Sequence, residues 1–153
     1  MLTGQYLHTL DDKKRLVLPA KFRDDFGTNT DDKIVYVTIE IANRGTWLSL
    51  HTAESMKRLR ERAERAADEN EDGEWYLRKL GADTEEFRLD PQWRLTLTDR
   101  FVEAAKLKRD VTVLGVFSRI EVWDVETWKQ VDQSLAHQAP QLRKALYRAG
   151  PEP

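Results

Sequence analysis

Two stretches of this chain alternate apolar and polar residues in the same order. Residues 7–23 read LHTLDDKKRLVLPAKFR and residues 86–102 read EFRLDPQWRLTLTDRFV. Aligned, Leu10 matches Leu89, Asp11 matches Asp90, Arg15 matches Arg94, and Leu16, Leu18 and Phe22 match Leu95, Leu97 and Phe101. In the first copy Thr9–Asp11 and Arg15–Leu18 flank a polar tip, a pattern that predicts a hairpin with a three-residue loop. A short helix is expected next, over Ala20–Phe26 and Asp99–Lys106. Pro19 suits a helix's first turn, where its missing N–H is not needed, and Thr98 reads as an N-cap. Apolar strands follow at Ile34–Ile41 and Val111–Val116, then turn signals, then Trp47–Leu50 and Ile120–Trp123. The chain therefore reads as one β-β-α-β-β unit written twice. Four short strands bury little by themselves, so the halves should pack together or interleave.

Helical periodicity governs the remainder. Met56, Leu59, Ala63 and Ala66 recur at helical spacing within residues 52–67, with acids and bases interleaved on the other faces, which reads as a solvated helix. Asp68–Glu74 (DENEDGE) reads as an acidic surface loop, and Trp75-Tyr76-Leu77 with Leu80 as a short helix packing an aromatic edge. Val125, Trp128, Val131 and Leu135 form a second stripe that Pro140 should end, with Leu142, Ala145 and Leu146 one or two turns beyond. The expected segments are 1–51 (first half), 52–83 (helical connector), 84–124 (second half) and 125–153 (C-terminal helices).

Composition narrows the function. The 153 residues carry 25 Lys and Arg against 27 Asp and Glu, with no cysteine. Disulfides, thiolate metal sites and cysteine nucleophiles are excluded. No apolar run approaches the ~20 residues of a membrane span, and Met1–Asp12 lacks the features of a secretory signal, so a cytoplasmic address is expected. A net charge of −2 rules out a uniformly basic nucleic-acid binder. Charge is concentrated locally instead. Residues 8–23 hold five bases (Lys13, Lys14, Arg15, Lys21, Arg23) against Asp11 and Asp12, whereas residues 86–100 balance at three of each sign. A narrow basic tip can reach phosphates and a major groove, where arginine reads guanine bidentately; the same lysines also suit an ordinary soluble hairpin tip. Trp93 at the second tip reads either as an exposed contact or, more simply, as packing on a neighbouring strand. An enzymatic reading would recruit Asp11, Asp12, Asp90 or Glu86 as metal ligands. The histidines (His8, His51, His137) are scattered, and no nucleophile elbow or phosphate-cradling glycine loop occurs. No catalytic residue, metal or cofactor is expected.

The series Gly4, His8, Leu10-Asp11, Lys13, Arg15-Leu16, Leu18-Pro19, Phe22-Arg23, with its second Asp-x-x-x-Arg half and the strand Arg119–Asp124 followed by Trp128, resembles the MraZ family of bacterial transcriptional regulators. The resemblance spans nearly the whole chain. It implies an α+β fold of two SpoVT-AbrB-like halves forming an intertwined, double-split, swapped-hairpin β-barrel with flanking helices. It also implies ring-shaped homo-oligomers that bind double-stranded DNA at short repeats upstream of the division and cell-wall gene cluster, usually as repressor, in the cytoplasm and associated with the nucleoid. The residues carried over to the DNA-contacting face are Asp11 with Arg15 and Asp90 with Arg94, joined by the tip lysines Lys13 and Lys14. Neither a membrane nor a small-molecule substrate is expected as partner. The chain departs from the family at Lys14 and Trp93, where glycine usually precedes the motif arginine, and at Thr98 in place of proline. Both tip replacements imply an altered turn geometry or strain.

A subunit offering about three phosphate contacts binds weakly, with a salt slope near −3. Several subunits meeting spaced repeats would add roughly 10²–10⁴ in avidity. The rival expectation is an oligomeric interaction protein of the same fold that has lost specific DNA binding.

Overall fold

A computed structural model describes residues 1–26 and 33–149. The first half contributes β1 (Leu2–Thr9), β2 (Arg15–Val17), a 3₁₀ turn (Ala20–Phe26), β3 (Ile34–Ala42) and β4 (Gly45–His51); α1 (Ala53–Glu69) and α2 (Glu71–Ala82) follow. The second half repeats the order as β5 (Thr84–Arg88), β6 (Arg94–Thr96), α3 (Asp99–Ala104), β7 (Asp110–Phe117) and β8 (Arg119–Asp124), before α4 (Val125–His137) and α5 (Ala139–Arg148).

The halves interleave. One antiparallel sheet runs β1-β7-β8-β4-β3-β5, and β2 pairs with β6 in a separate two-stranded ribbon. Every strand pairs across the halves. β1 lies on β7 and β5 likewise on β3, while β2–β6 and β4–β8 pair like with like. The local hairpin expected for residues 9–18 is therefore corrected. Only its turn survives, closed by Asp11 N–H donating to Arg15 C=O at 3.1 Å and Lys14 N–H to Asp11 C=O at 2.9 Å. Strand alternation fixes which face is buried but not which strand is the partner. Among the described residues the hydrogen-bonded ladder is open, with β1 and β5 at its edges.

The ribbon, the 3₁₀ turn and α3 cover one sheet face over the main core. Leu16, Leu18 and Phe22 are buried there with their repeat mates Leu95, Leu97 and Phe101, against Val35, Val37, Leu48, Leu50, Val111, Val113, Ile120 and Val122. Phe22 and its mate Phe101 each meet an aromatic ring edge to face at 5.3 Å, Tyr6 and Phe87 respectively, although these two partners stand two positions apart in the alignment.

Helices cover the other face. On α4, Val131 is buried with Leu114 and Trp123, and Trp128 and Leu135 pack against them. Trp47 stacks on Trp123 with ring centroids 4.5 Å apart. On α1, Ala63 is buried and Met56, Leu59 and Ala66 are half-buried. The expected acidic loop at Asp68–Glu74 is instead almost wholly helical. Asn70 alone breaks the run, its side chain accepting from Gly73 N–H at 2.8 Å, and Glu71, Asp72 and Glu74 fill the first turn of α2. Acids there face the positive end of the helix dipole. Gly73 is required by close approach: a Cβ would fall 2.0 Å from the Ala66 carbonyl oxygen.

Three further expectations are corrected: the 3₁₀ segment, the end of α3 and the aromatic edge of α2. Ala20–Phe26 is 3₁₀ rather than α. Helix α3 stops at Ala104, and Lys106 turns left-handed with φ of 54° just beyond it. Thr98 sits at the N-cap as expected, though without a side-chain cap bond. Trp75 and Tyr76 are exposed rather than packed. As expected, α4 ends ahead of Pro140, which lies in the first turn of α5, a helix with no buried residue.

Candidate nucleic-acid interface

The β2–β6 ribbon positions the candidate site. Its register is Arg15 with Thr96, Leu16 with Leu95, and Val17 with Arg94. Leu16 and Leu95 point into the core, so the period of two turns Arg15, Val17, Arg94 and Thr96 outward on one face. The two arginines occupy one diagonal of this face, with Cα atoms roughly 7–8 Å apart, the usual diagonal spacing across a strand pair.

Each arginine is aimed by its own turn. Asp11 Oδ1 accepts the N–H groups of Lys13 and Arg15, both at 2.9 Å, and its Oδ2 accepts Arg15 Nε at 2.5 Å. Asp90 repeats this with Gln92 and Arg94 N–H at 2.9 Å and Arg94 Nε at 2.5 Å. The Asp-x-x-x-Arg spacing thus has a local physical basis. A short carboxylate bonds the backbone two and four residues on, and the fourth residue's side chain folds back to the remaining oxygen. The N–H of Arg15 does most to hold Asp11's pKa below the usual carboxylate range, aided by its guanidinium and by Lys13 N–H. At Asp90 partial burial pushes upward, but the bonds from Arg94 and Gln92 outweigh it and the pKa is lowered. Both carboxylates are engaged within their own turns. Among the described residues, the terminal nitrogens of Arg15 remain without a partner, whereas one of Arg94 donates to the exposed Gln92 Oε1 at 2.8 Å.

Both tips hold the same left-handed turn residue at the position where glycine was expected. Lys14 and Trp93 both adopt the left-handed backbone, with φ of 59° and 61°. Of the two outcomes expected from these replacements, strain is present at both, a side chain in the left-handed region. The bent backbone serves the ribbon: Leu97 N–H donates to Lys14 C=O at 3.0 Å, and Leu18 N–H to Trp93 C=O at 2.8 Å.

The surrounding cations are unequal. Lys13 is exposed, while Lys14 is ion-paired with Asp99 of the other half. Trp93 is half-buried against the core, so packing wins over exposure, and its ring carries Lys33 Nζ at 4.2 Å and Arg23 at 5.9 Å. Sequence reasoning missed Lys33, Lys108 and Arg109. The last two line a shallow cleft of about 280 Å³ with Lys14, Asp11 and Asp12. Leu10 N–H donates to Arg109 C=O and Leu89 N–H to Lys33 C=O, each at 2.8 Å, so both tips gain a cation from the start of the opposite half's long strand. The run Lys106, Lys108, Arg109 just before β7 was the available signal.

The family model for MraZ protein matches residues 1–70 and 80–147. The chain belongs to the MraZ family. Similar proteins carry the name transcriptional regulator MraZ. That of Mycobacterium avium is 34% identical over 134 residues, covering 88% of each chain, and that of Caldanaerobacter subterraneus subsp. tengcongensis is 32% identical over the same share. The MraZ of Mycobacterium tuberculosis (strain ATCC 25177 / H37Ra) is 34% identical over 133 residues, 87% of each chain. These MraZ relatives are named as regulators, not as enzymes. Among the described residues, no helix is long and apolar enough to cross a membrane.

Proposed function

We propose that this chain is a sequence-specific DNA-binding transcriptional regulator, a repressor acting on short repeats upstream of the division and cell-wall gene cluster. One observation carries the reading: Arg15 and Arg94 stand diagonally across the outward face of a two-stranded ribbon, each aimed by its own aspartate. A ribbon of this width enters a major groove, and an arginine held through Nε can turn its terminal nitrogens to guanine O6 and N7. Lys13, Lys14, Lys108 and Arg109 supply phosphate contacts, while Asp11 and Asp90 hold the turns. The halves 1–51 and 84–124 form one swapped-hairpin barrel that presents the ribbon, and from the connector 52–83 and the segment that begins at 125 the helices α1 and α4 cover the opposite sheet face. Because the subunit is slightly acidic, tight binding rests on a homo-oligomeric ring that engages several repeats together.

A mobility-shift assay on the chain's own upstream DNA tests this. The wild type shifts DNA carrying several repeats at nanomolar to micromolar concentration, and the double variant Lys14→Ala, Arg15→Ala does not. The pairing of Lys14 with Asp99 favours a second reading, an oligomeric interaction protein without specific DNA binding. Under that reading the wild type shifts upstream and scrambled DNA alike, or neither.

A further inference from the structure

The outward face of the ribbon holds a second diagonal, Val17 and Thr96, which completes a rectangle with Arg15 and Arg94. Val17 is 40% exposed and Thr96 is also exposed. Val17 is thus an apolar side chain presented to solvent, directly across from Arg94 and two residues from Arg15 on the same face. The rectangle measures about 7 Å along the strands, two residues at ~3.4 Å each, which matches two base-pair steps of the same rise. Once a ribbon seats there, the only apolar group that the major-groove edges offer a methyl-bearing side chain is the C5-methyl of thymine. The geometry points to Val17 and Thr96 as specificity-determining residues, each packing its methyl groups on a thymine beside the base held by the neighbouring arginine. This rests on the DNA-binding reading above. The local twofold through the Leu16–Leu95 pair further assigns the two thymines to opposite strands of the duplex.

Replacing thymine by uracil removes that methyl and nothing else. The upstream DNA, with each thymine position of the repeat converted in turn to uracil in every repeat, is titrated by fluorescence anisotropy against wild type, Val17→Ser and Thr96→Ser. For the wild type, conversion at two positions, one per strand, weakens binding by about three- to fivefold per repeat engaged, the value of one buried methyl. Val17→Ser abolishes the sensitivity at one position and Thr96→Ser at the other. Both side chains are exposed, so unfolding midpoints stay at the wild-type value. Uracil sensitivity absent from the wild type, or kept in full by both variants, overturns the inference while specific binding persists. A wild type that does not prefer its upstream DNA over scrambled DNA overturns the DNA-binding reading itself, and this inference with it.

Discussion

The backbone N–H of Leu97 donates to the carbonyl oxygen of Lys14 at 3.0 Å, and Lys14 presents that carbonyl from a left-handed backbone with φ of 59°. A side chain in that region costs about 1–2 kcal/mol, and glycine removes most of this while adding ~0.5–1 kcal/mol of unfolded-state entropy. Lys14→Gly is therefore expected to be neutral to stabilising, by up to about 1 kcal/mol. Trp93→Gly relieves the same strain at φ of 61° but removes a ring that packs on the core and carries Lys33 and Arg23. It should destabilise by roughly 1–3 kcal/mol, since truncating a fully buried aromatic costs about 3–5. Urea unfolding midpoints moving in the same direction for both variants would refute this division of labour.

The sequence carried the local half of this architecture. Leu16, Leu18 and Phe22 and their mates are buried where their spacing put them, and Asp-x-x-x-Arg was legible because its bonds run only two and four residues along the chain. The pairing of β2 with β6 was not legible, since alternation specifies a face and not a partner. For the same reason Lys108 and Arg109 were invisible as neighbours of Lys14, from which some 95 residues of chain separate them. The acidic run at 68–74 misled because its charges look solvated, whereas Asn70 and the helix dipole turn them into a helix start.

Acid should destabilise the protein in two stages. His51, buried between β4 and α1, bonds Ser55 Oγ through Nδ1 at 2.9 Å, and among the described residues its Nε2 has no partner. Burial, with Arg119 nearby, lowers its pKa from 6.5 to about 4. Between those values the unfolded chain takes up a proton that the folded one refuses, so stability falls as the pH drops through this window, by about 3 kcal/mol at most. Asp11 and Asp90 act below it. Their lowered pKa values give stability that is complete above the ordinary carboxylate range and is lost as the pH falls through the lowered values. His51→Gln should flatten the stability profile between pH 6.5 and about 4, and the double change Asp11→Asn, Asp90→Asn only the part below. Profiles of unfolding free energy against pH that keep their wild-type slopes in these variants would contradict the assignment.

Gly73 sets the approach of α2 to α1. A Cβ there would overlap the Ala66 carbonyl, a backbone atom that no rotamer change can move aside. Gly73→Ala should lower stability by about 1–3 kcal/mol, the usual overpacking range, although alanine is the better helix former. At Gly81 a Cβ would meet nothing within 4 Å, so Gly81→Ala is the control, expected to gain up to ~1 kcal/mol. Equal thermal shifts for the two would mean that helix propensity, not steric overlap, decides at both sites.

The twofold relation of the ribbon makes the two arginines equivalent in placement: same aspartate bonds, same outward face, positions exchanged across the Leu16–Leu95 pair. Arg15→Ala and Arg94→Ala should then weaken DNA binding to a similar degree, by ~1–3 kcal/mol for each bidentate arginine–guanine pair removed, despite the unequal charge around their tips. Lys13→Ala should instead weaken binding to all sequences alike and reduce the salt slope by about one per engaged subunit. With about three phosphate contacts per subunit, DNA bearing one repeat should bind with a slope near −3. DNA bearing several should bind roughly 10²–10⁴ times more tightly and with a proportionally steeper slope. Anisotropy titrations at about 50, 100 and 200 mM salt measure both quantities. Equal affinity for one repeat and for several would remove the role of assembly, and an Arg94→Ala variant with wild-type binding would confine the DNA contact to the first tip.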